Sequence, residues 1–478
     1  MHAAFLLVYL GALILVGALK ARKVKTQEDF TLAGRGLPGW VLTGTLLATW
    51  IGTGSIFGSA QKSFQDGMSA LVLPLSSGVG ILVLFLLAAR IRRMEKFTIQ
   101  DILEERFGVT ARVVGTVALL LGYLIIVSYQ YRAGSAVLGY VLPDVSQTQA
   151  VLIVAAFVIA YTALAGMFSV AYTDVANGIL MTLGLACALP LLLEDAGGVE
   201  QVIESLPEEN RSMWGYGPAR VISYLLPPFL LILGDANMYQ RFFSAKDAPT
   251  ARRSALGMFC GVLLLDWLII AIALCAVALV AQGQLAAPEN PAHAVVHVAF
   301  EALPPLLGAL LSATVVAVVV STADSYLLSP ASSLVRDVYQ RFLKPEASDR
   351  DTVVAGRGLV VVLGLIALGL AFTSDAFFEV AIFAYTLYGA AITPPLLAAF
   401  FWKGATPAGA VTSMLTGLGT AILWQFWLGA RLTAWTEEAG WTGVNEFLSY
   451  LDAALPAVIV SVLALVVVSK LTAGKGER

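Results

Sequence analysis

Long apolar stretches alternate with short polar ones along the whole chain, and the apolar stretches are longer than soluble helices need. About 20 helical residues cross about 30 Å of hydrocarbon. Thirteen windows of that kind occur, near 3–19, 38–61, 68–89, 113–139, 149–166, 170–193, 219–240, 254–281, 303–329, 352–372, 377–401, 406–430 and 451–470. The pattern predicts an all-α integral membrane protein, one transmembrane domain over 1–478, since the longest gap between windows is about 25 residues. The first window has no basic residues before it and no small-residue cleavage site. Lys20, Arg22, Lys23 and Lys25 follow it, so it reads as a retained span rather than a signal peptide.

Charge gives an independent check on the count. With the N-terminus outside, 24 of the 29 Lys and Arg fall on the inner side; Lys62, Arg211, Arg220 and Arg431 fall outside, and Arg132 lies within a span. Cytoplasmic loops retain basic residues. The asymmetry therefore supports thirteen spans and a cytoplasmic C-terminus, in a plasma or inner membrane.

Composition agrees: 58% of residues are apolar and 13% charged, against roughly 25% charged in soluble chains. A net charge of −3 points to no nucleic-acid partner. Cys187, Cys260 and Cys275 lie inside apolar windows without CxxC spacing, which fits packing rather than a disulfide or zinc site. There is no GxxxxGK[ST] segment and no room for a nucleotide domain, so any driving force comes from an ion gradient or a partner.

Five ionisable residues lie deep in the windows: Arg132, Asp174, Asp235, Asp266 and Asp324. Such residues are costly in a bilayer and are functional, paired or facing a wet cavity. Asp266, alone in LLLDWLII, reads as a structural residue. The second window, LATWIGTGSIFGSA, carries Gly52, Gly54 and Gly58 beside Thr53 and Ser55. Small residues permit close helix packing, but they also suit a discontinuous helix that binds ion and solute at the midplane. The seventh window offers a second interruption, with Pro227, Pro228 and Gly234 ahead of DANMYQR. Two interrupted helices five spans apart fit an inverted-repeat carrier. In the ninth window Ser321, Thr322, Asp324 and Ser325 fall within about one turn and offer oxygen ligands to a hard cation, although such hydroxyls also bond back to their own helix.

AGRGLPGW, FTIQDILEERFG, GMFSVAYTDV, YQRFFSAKD, STADS and RDVYQRF, in this order along the chain, resemble motifs of the sodium/solute symporter family. ATW, SVAYTDV and STADS look most like its high-affinity choline transporter branch. The resemblance implies a LeuT-type core of two inverted five-helix repeats over about 38–401, one extra helix at 3–19 and two at about 406–471. It implies a main sodium site at the carbonyls of Ala48, Ile51 and Val318 and the hydroxyls of Ser321 and Thr322. A second sodium or proton site would involve Asp174, Asp324 and Ser325, with Ser321 beside them; Asp324 stands where other members carry Ser. Solute positions carried over are Trp50, Thr53, Gly54, Gln130, Asp235, Asn237, and Tyr385 or Thr386. Trp50 suits a quaternary ammonium through cation-π attraction, whereas Gln130 stands where the choline branch has an aromatic.

Arg132 argues for a solute bearing a carboxylate, because a guanidinium pairs with one bidentately and repels a cation. The alternative is an ion pair of Arg132 with Asp266 or Asp235. The expectation is a non-enzymatic, sodium-coupled symporter importing a small organic solute, a carboxylate or zwitterion such as an amino acid or betaine, as a monomeric unit without nucleotide. A choline symporter and a proton-coupled carrier are the alternatives. A channel would need a continuous polar lining or charged rings, and an intramembrane enzyme has only His2, His293 and His297 to draw on. The last two are spaced i, i+4 without an HExxH glutamate, so they read as helix surface before metal ligands.

Overall fold

The computed structural model describes residues 1–21, 24–374 and 376–473. Arg22, Lys23, Lys475 and Arg478, counted among the inner cations, lie outside them. Apolar α1 (His2–Ala21) leads to α2 (Gln27–Leu32), started by a reciprocal capping box between Thr26 and Asp29. The next span is broken. Helix α3 (Gly39–Trp50) ends at Ile51, whose ψ of 99° is extended, and the chain resumes as a wide π-type turn over Gly54–Gly58 that runs into α4 (Ser59–Asp66). The two halves are bent by 50°.

Helix α5 (Pro74–Arg93) begins on proline, which lacks the amide that a first turn leaves unpaired. Capped α6 (Ile99–Phe107) and long α7 (Val109–Val141) come next. Helix α8 (Gln147–Asp195) is 49 residues long and is divided at Gly166 (φ 67°, ψ 169°), a conformation essentially restricted to glycine. After α9 (Gly198–Glu204) comes the second broken span, α10 (Pro218–Gly234) and α11 (Ala236–Ser244), parted at Asp235. The chain continues through α12 (Ala248–Ala281), α13 (Ala294–Glu301) and α14 (Pro305–Leu334), which a π-type turn extends to Leu343. Helices α15 (Asp349–Leu370), α16 (Phe377–Phe401), α17 (Pro407–Leu423), α18 (Gly429–Glu438), α19 (Thr442–Ser449) and α20 (Ala454–Thr472) complete it.

Among the described residues ten helices are long and apolar enough to cross a membrane, eleven if the bent pair over 39–72 is one span. The expected thirteen are not reproduced as separate helices. Windows 149–166 and 170–193 share α8, and window 406–430 is met by the 17-residue α17 and a π-type turn. The apolar stretches of α14 and α16 are each 78% buried, against 17% for α1 and 28% for α20, so the first pair forms the interior and the second the periphery.

The second interruption differs from its expected form, because Pro227 and Pro228 stay within α10 and the break falls at Asp235. Its carbonyls have fixed partners. Tyr388 donates to Gly234 O at 2.8 Å, Thr393 to Leu230 O at 2.6 Å and Tyr239 to Leu233 O at 3.2 Å. Irregular backbone survives at membrane depth only with such satisfaction.

Candidate functional site

Ending α3 at Trp50 leaves carbonyls beyond Leu47, which still receives Ile51 N at 3.0 Å, without helical amide partners. Helix α14 supplies hydroxyls to them. Ser321 Oγ donates to Ala48 O at 3.0 Å and lies 3.2 Å from Val318 O, while Thr322 Oγ1 donates to Ile51 O at 3.3 Å. The positions Ala48, Ile51, Val318, Ser321 and Thr322 therefore meet at one buried point between the α3 break and α14. Three carbonyls and two hydroxyls without a carboxylate form a set suited to a hard monovalent cation. Ser321 also reaches Ala317 O at 2.7 Å, the back-bond expected of a helical serine.

The second cluster is built around an arginine. Thr45 donates to Asp174 Oδ2 at 2.5 Å, Arg241 Nη2 lies 3.3 Å from that oxygen and donates to Ser325 at 2.7 Å, and Ser325 meets Asp324 Oδ1 at 3.2 Å. Asp174, Asp324 and Ser325 are thus neighbours, and the Arg241 guanidinium lies among them. Arg241 is 1% exposed, which corrects its assignment to the inner-loop cations. Position alone misled: it follows an apolar window, yet α11 carries it back into the core.

Beside the first cluster lies a cavity walled by Trp50, Gly52, Gly54 and Ser55 of the broken span, Tyr129 of α7, Asp266 of α12, Thr322 and Tyr326 of α14, and Tyr385 of α16. It continues past Ser59, Tyr224 and Phe378 towards Lys62, whose ammonium sits 4.8 Å and 4.6 Å above the Tyr224 and Phe378 rings. Tyr385 and Tyr129 hydroxyls meet at 3.2 Å, and Gly54 lies so close to Tyr385 that a Cβ there would come within 2.7 Å of its hydroxyl. Trp50, Gly54 and Tyr385 thus meet in one cavity. Thr53 is turned from it and donates to Gln130 Oε1, leaving Gln130 Nε2 buried without a partner.

Four further positions expected for the solute also lie off this cavity. Asp235 caps α11, accepting from Asn237 N at 2.7 Å and Met238 N at 3.3 Å, and also receives the Tyr123 and Tyr326 hydroxyls at 2.8 and 2.7 Å. It does not line the cavity, whereas Tyr326, whose hydroxyl it accepts, does. Asn237, wholly buried behind it, does not line the cavity either. Thr386, one residue beyond Tyr385 and hence about 100° further round the helix, donates to Asp452 at 2.9 Å. Arg132 donates to Ala371 O at 2.9 Å and lines a separate cavity with Tyr140, Glu289, His293, His297 and Phe377.

That second cavity also holds the histidine pair. His297 meets Tyr140 at Nδ1 (3.1 Å) and Ala286 O at Nε2 (2.8 Å), so both ring nitrogens are occupied. Burial, with Arg132 and His297 adding to it, pushes His293 down to about 4, which keeps it neutral near pH 7. Among the described residues no group of three or more metal-ligating side chains occurs.

Asp266 is the residue the sequence reading undervalued. It is 6% exposed, lines the cavity together with Ser55, and its Oδ1 has no partner. Isolation among leucines carries no sign of which neighbour it faces.

Comparison with known proteins covers nearly the whole chain. A family model described as Sodium:solute symporter family matches residues 30–417. The osmoregulated proline transporter OpuE of Bacillus subtilis is 27% identical over 97% of this chain and 94% of its own length. The sodium/proline symporter of Salmonella typhimurium is likewise 27% identical, over 95% and 92%. A solved structure of a Na+-coupled sialic acid symporter in a substrate-bound outward-open state superposes with a TM-score of 0.84 at 18% identity, over 99% of this chain and 98% of that one. Mhp1, a nucleobase-cation-symport-1 family transporter, gives a TM-score of 0.58 at 14% identity, over 92% and 95%. The choline branch is corrected by these relatives. ATW, SVAYTDV and STADS contribute Ala48, Asp174 and Ser321 to the two buried polar clusters, so they report on that shared machinery more than on the solute.

Proposed function

The chain belongs to the sodium:solute symporter family, and from that premise we propose that it imports L-proline, or an imino acid close to it, together with one sodium ion. The relatives named for proline support the solute. The observation that carries the coupling is the shared wall: Thr322 belongs to the oxygen cluster and, with Gly52, also lines the cavity.

Sodium is held by the carbonyls of Ala48, Ile51 and Val318 and the hydroxyls of Ser321 and Thr322. It ties the broken span to α14. The solute lies against Trp50, Gly54 and Tyr385, its carboxylate towards the half-helix that begins at Gly54, whose N-terminal amides carry partial positive charge. The guanidinium of Arg241 beside Asp174 and Ser325 argues for a single sodium. Gly166 divides α8 into two crossings, and α17 with its following turn makes one more, which brings the eleven spans to thirteen. The basic inner loops then set the N-terminus outside and the C-terminus in the cytoplasm, so the end of the cavity at Tyr224 and Phe378 faces outward.

Radiolabelled L-proline uptake into proteoliposomes tests this reading. Accumulation driven by an inward sodium gradient, and lost when potassium replaces sodium, is expected. Uptake of the same size without sodium, or no proline uptake at all, would contradict it.

A further inference from the structure

The cavity wall contains one charged side chain, and it is an acid. Among the described residues lining it there is no Lys, Arg or His. Asp266 sits near the midpoint of α12, buried, on the same cavity wall as Ser55 and with Oδ1 unpartnered. An ionised carboxylate in such a place is strongly disfavoured unless a positive group meets it. The described cations placed nearest the site are committed elsewhere. Arg241 is engaged by Asp174 and Ser325, and Lys62 by Gln65 and Tyr224 at 3.0 and 3.2 Å. Arg132 lines the other cavity. A positive charge arriving with the ligand would answer this carboxylate.

We propose that Asp266 is the receptor for the ammonium of the transported solute, and that it restricts the cavity to substrates carrying a protonated amine. The inference rests on the proline reading and deepens it. Its sign is opposite to that expected from Arg132: charge selection falls on the solute's nitrogen, by a carboxylate. The aromatic walls match this. Trp50, Tyr129 and Tyr385 present ring surface to the methylenes of a small ring, while Asp266 and Ser55 offer acceptors to the two N–H groups of a secondary ammonium. A zwitterion would then lie with its carboxylate towards the sodium side and the Gly54 half-helix and its ammonium towards α12. Neither end leaves a buried charge unanswered.

The test compares L-proline with tetrahydrofuran-2-carboxylate, which has the same ring and carboxylate but an ether oxygen in place of the ammonium. In proteoliposomes the wild type should take up L-proline and be inhibited by the ether analogue only weakly. Asp266→Asn should raise the KM for L-proline roughly ten- to a hundredfold, the range for a lost charged hydrogen bond, and bring the two ligands to within a few-fold of each other. The sodium half-saturation should stay within about twofold on the same basis. Asp266→Glu, which keeps the charge, should keep the preference for L-proline. Sodium-induced thermal stabilisation reports an intact fold in both variants, and if Asp266→Asn lacks it, the Glu variant decides: a raised KM with its preference intact supports the assignment. Unchanged preference in a folded Asp266→Asn overturns it. A shifted sodium half-saturation with unchanged preference makes Asp266 an ion ligand and overturns it too. A wild type that takes up no L-proline defeats the solute reading, an outcome distinct from both.

Discussion

Arg241 shows at the scale of single residues how a buried charge is held in this protein. Its guanidinium meets Asp174 and Ser325 and lies 3.0 Å from Thr45 Oγ1, so an ion pair ties α11 to α3, α8 and α14. Removing one partner of a buried pair leaves the other uncompensated, at a cost of about 3–5 kcal/mol, whereas replacing both with apolar groups is far milder. Arg241→Met should therefore lower the melting temperature of the detergent-solubilised protein markedly, and adding Asp174→Leu should restore much of the loss. If the double variant melts lower than the single one by the full effect of a second lesion, Asp174 has another partner. Ser321 and Thr322 were legible in the sequence because the family pattern names their positions and the hydroxyl pair is dense. Arg241 and Asp266 were not, since their roles depend on which distant helix they face. Tyr385 and Thr386 make the same point: neighbours in sequence, they differ by one step around α16, and only one of them reaches the cavity.

At the scale of elements, the two broken spans do different work. The α10–α11 joint is fastened by Tyr123, Tyr239, Tyr326, Tyr388 and Thr393, whereas the carbonyls of Ala48 and Ile51 at the α3 break meet the two hydroxyls of α14 that belong to the proposed ion site. Both breaks could be read from runs of glycine and proline. Their exact places could not: the paired prolines sit within α10, and Asp235 breaks the span by capping α11. The fusion of two windows into α8 has the same origin, because GMFS offers no polar gap and only backbone angles reveal the turn. Gly166 carries that turn at φ 67° with Phe30 packed where a Cβ would stand, 2.9 Å away. Gly166→Ala should cost about 1–3 kcal/mol from strain, before any displacement of Phe30. A lowered melting temperature with the sodium half-saturation unchanged is the expected result, and a variant as stable as the wild type would contradict it.

Across the whole molecule, the two ends of the transport path are closed by different means. Towards the end of α4, the cavity is covered by Lys62 over Tyr224 and Phe378, with Glu379 3.9 Å from the ammonium. Towards the other end, Arg112 gathers Asp101, Glu104 and Asp337, tying α6 to the end of α14. An aromatic lid and a charged clasp stand on either side of a cavity that shares Thr322 with the oxygen cluster. Coupling arises if sodium, by drawing the α3 break onto α14, completes the solute wall. By linkage, sodium must then raise proline affinity by the same factor as proline raises sodium affinity. The most direct measurement is calorimetric titration of the purified protein with L-proline, in sodium and in N-methylglucamine, for the wild type and for Ser321→Ala and Thr322→Val. The wild type should bind L-proline at least about tenfold more tightly in sodium, a coupling of about 1.4 kcal/mol, and each variant should lose most of that difference. Equal proline affinity with and without sodium in the wild type, or full coupling surviving both substitutions, would contradict the account.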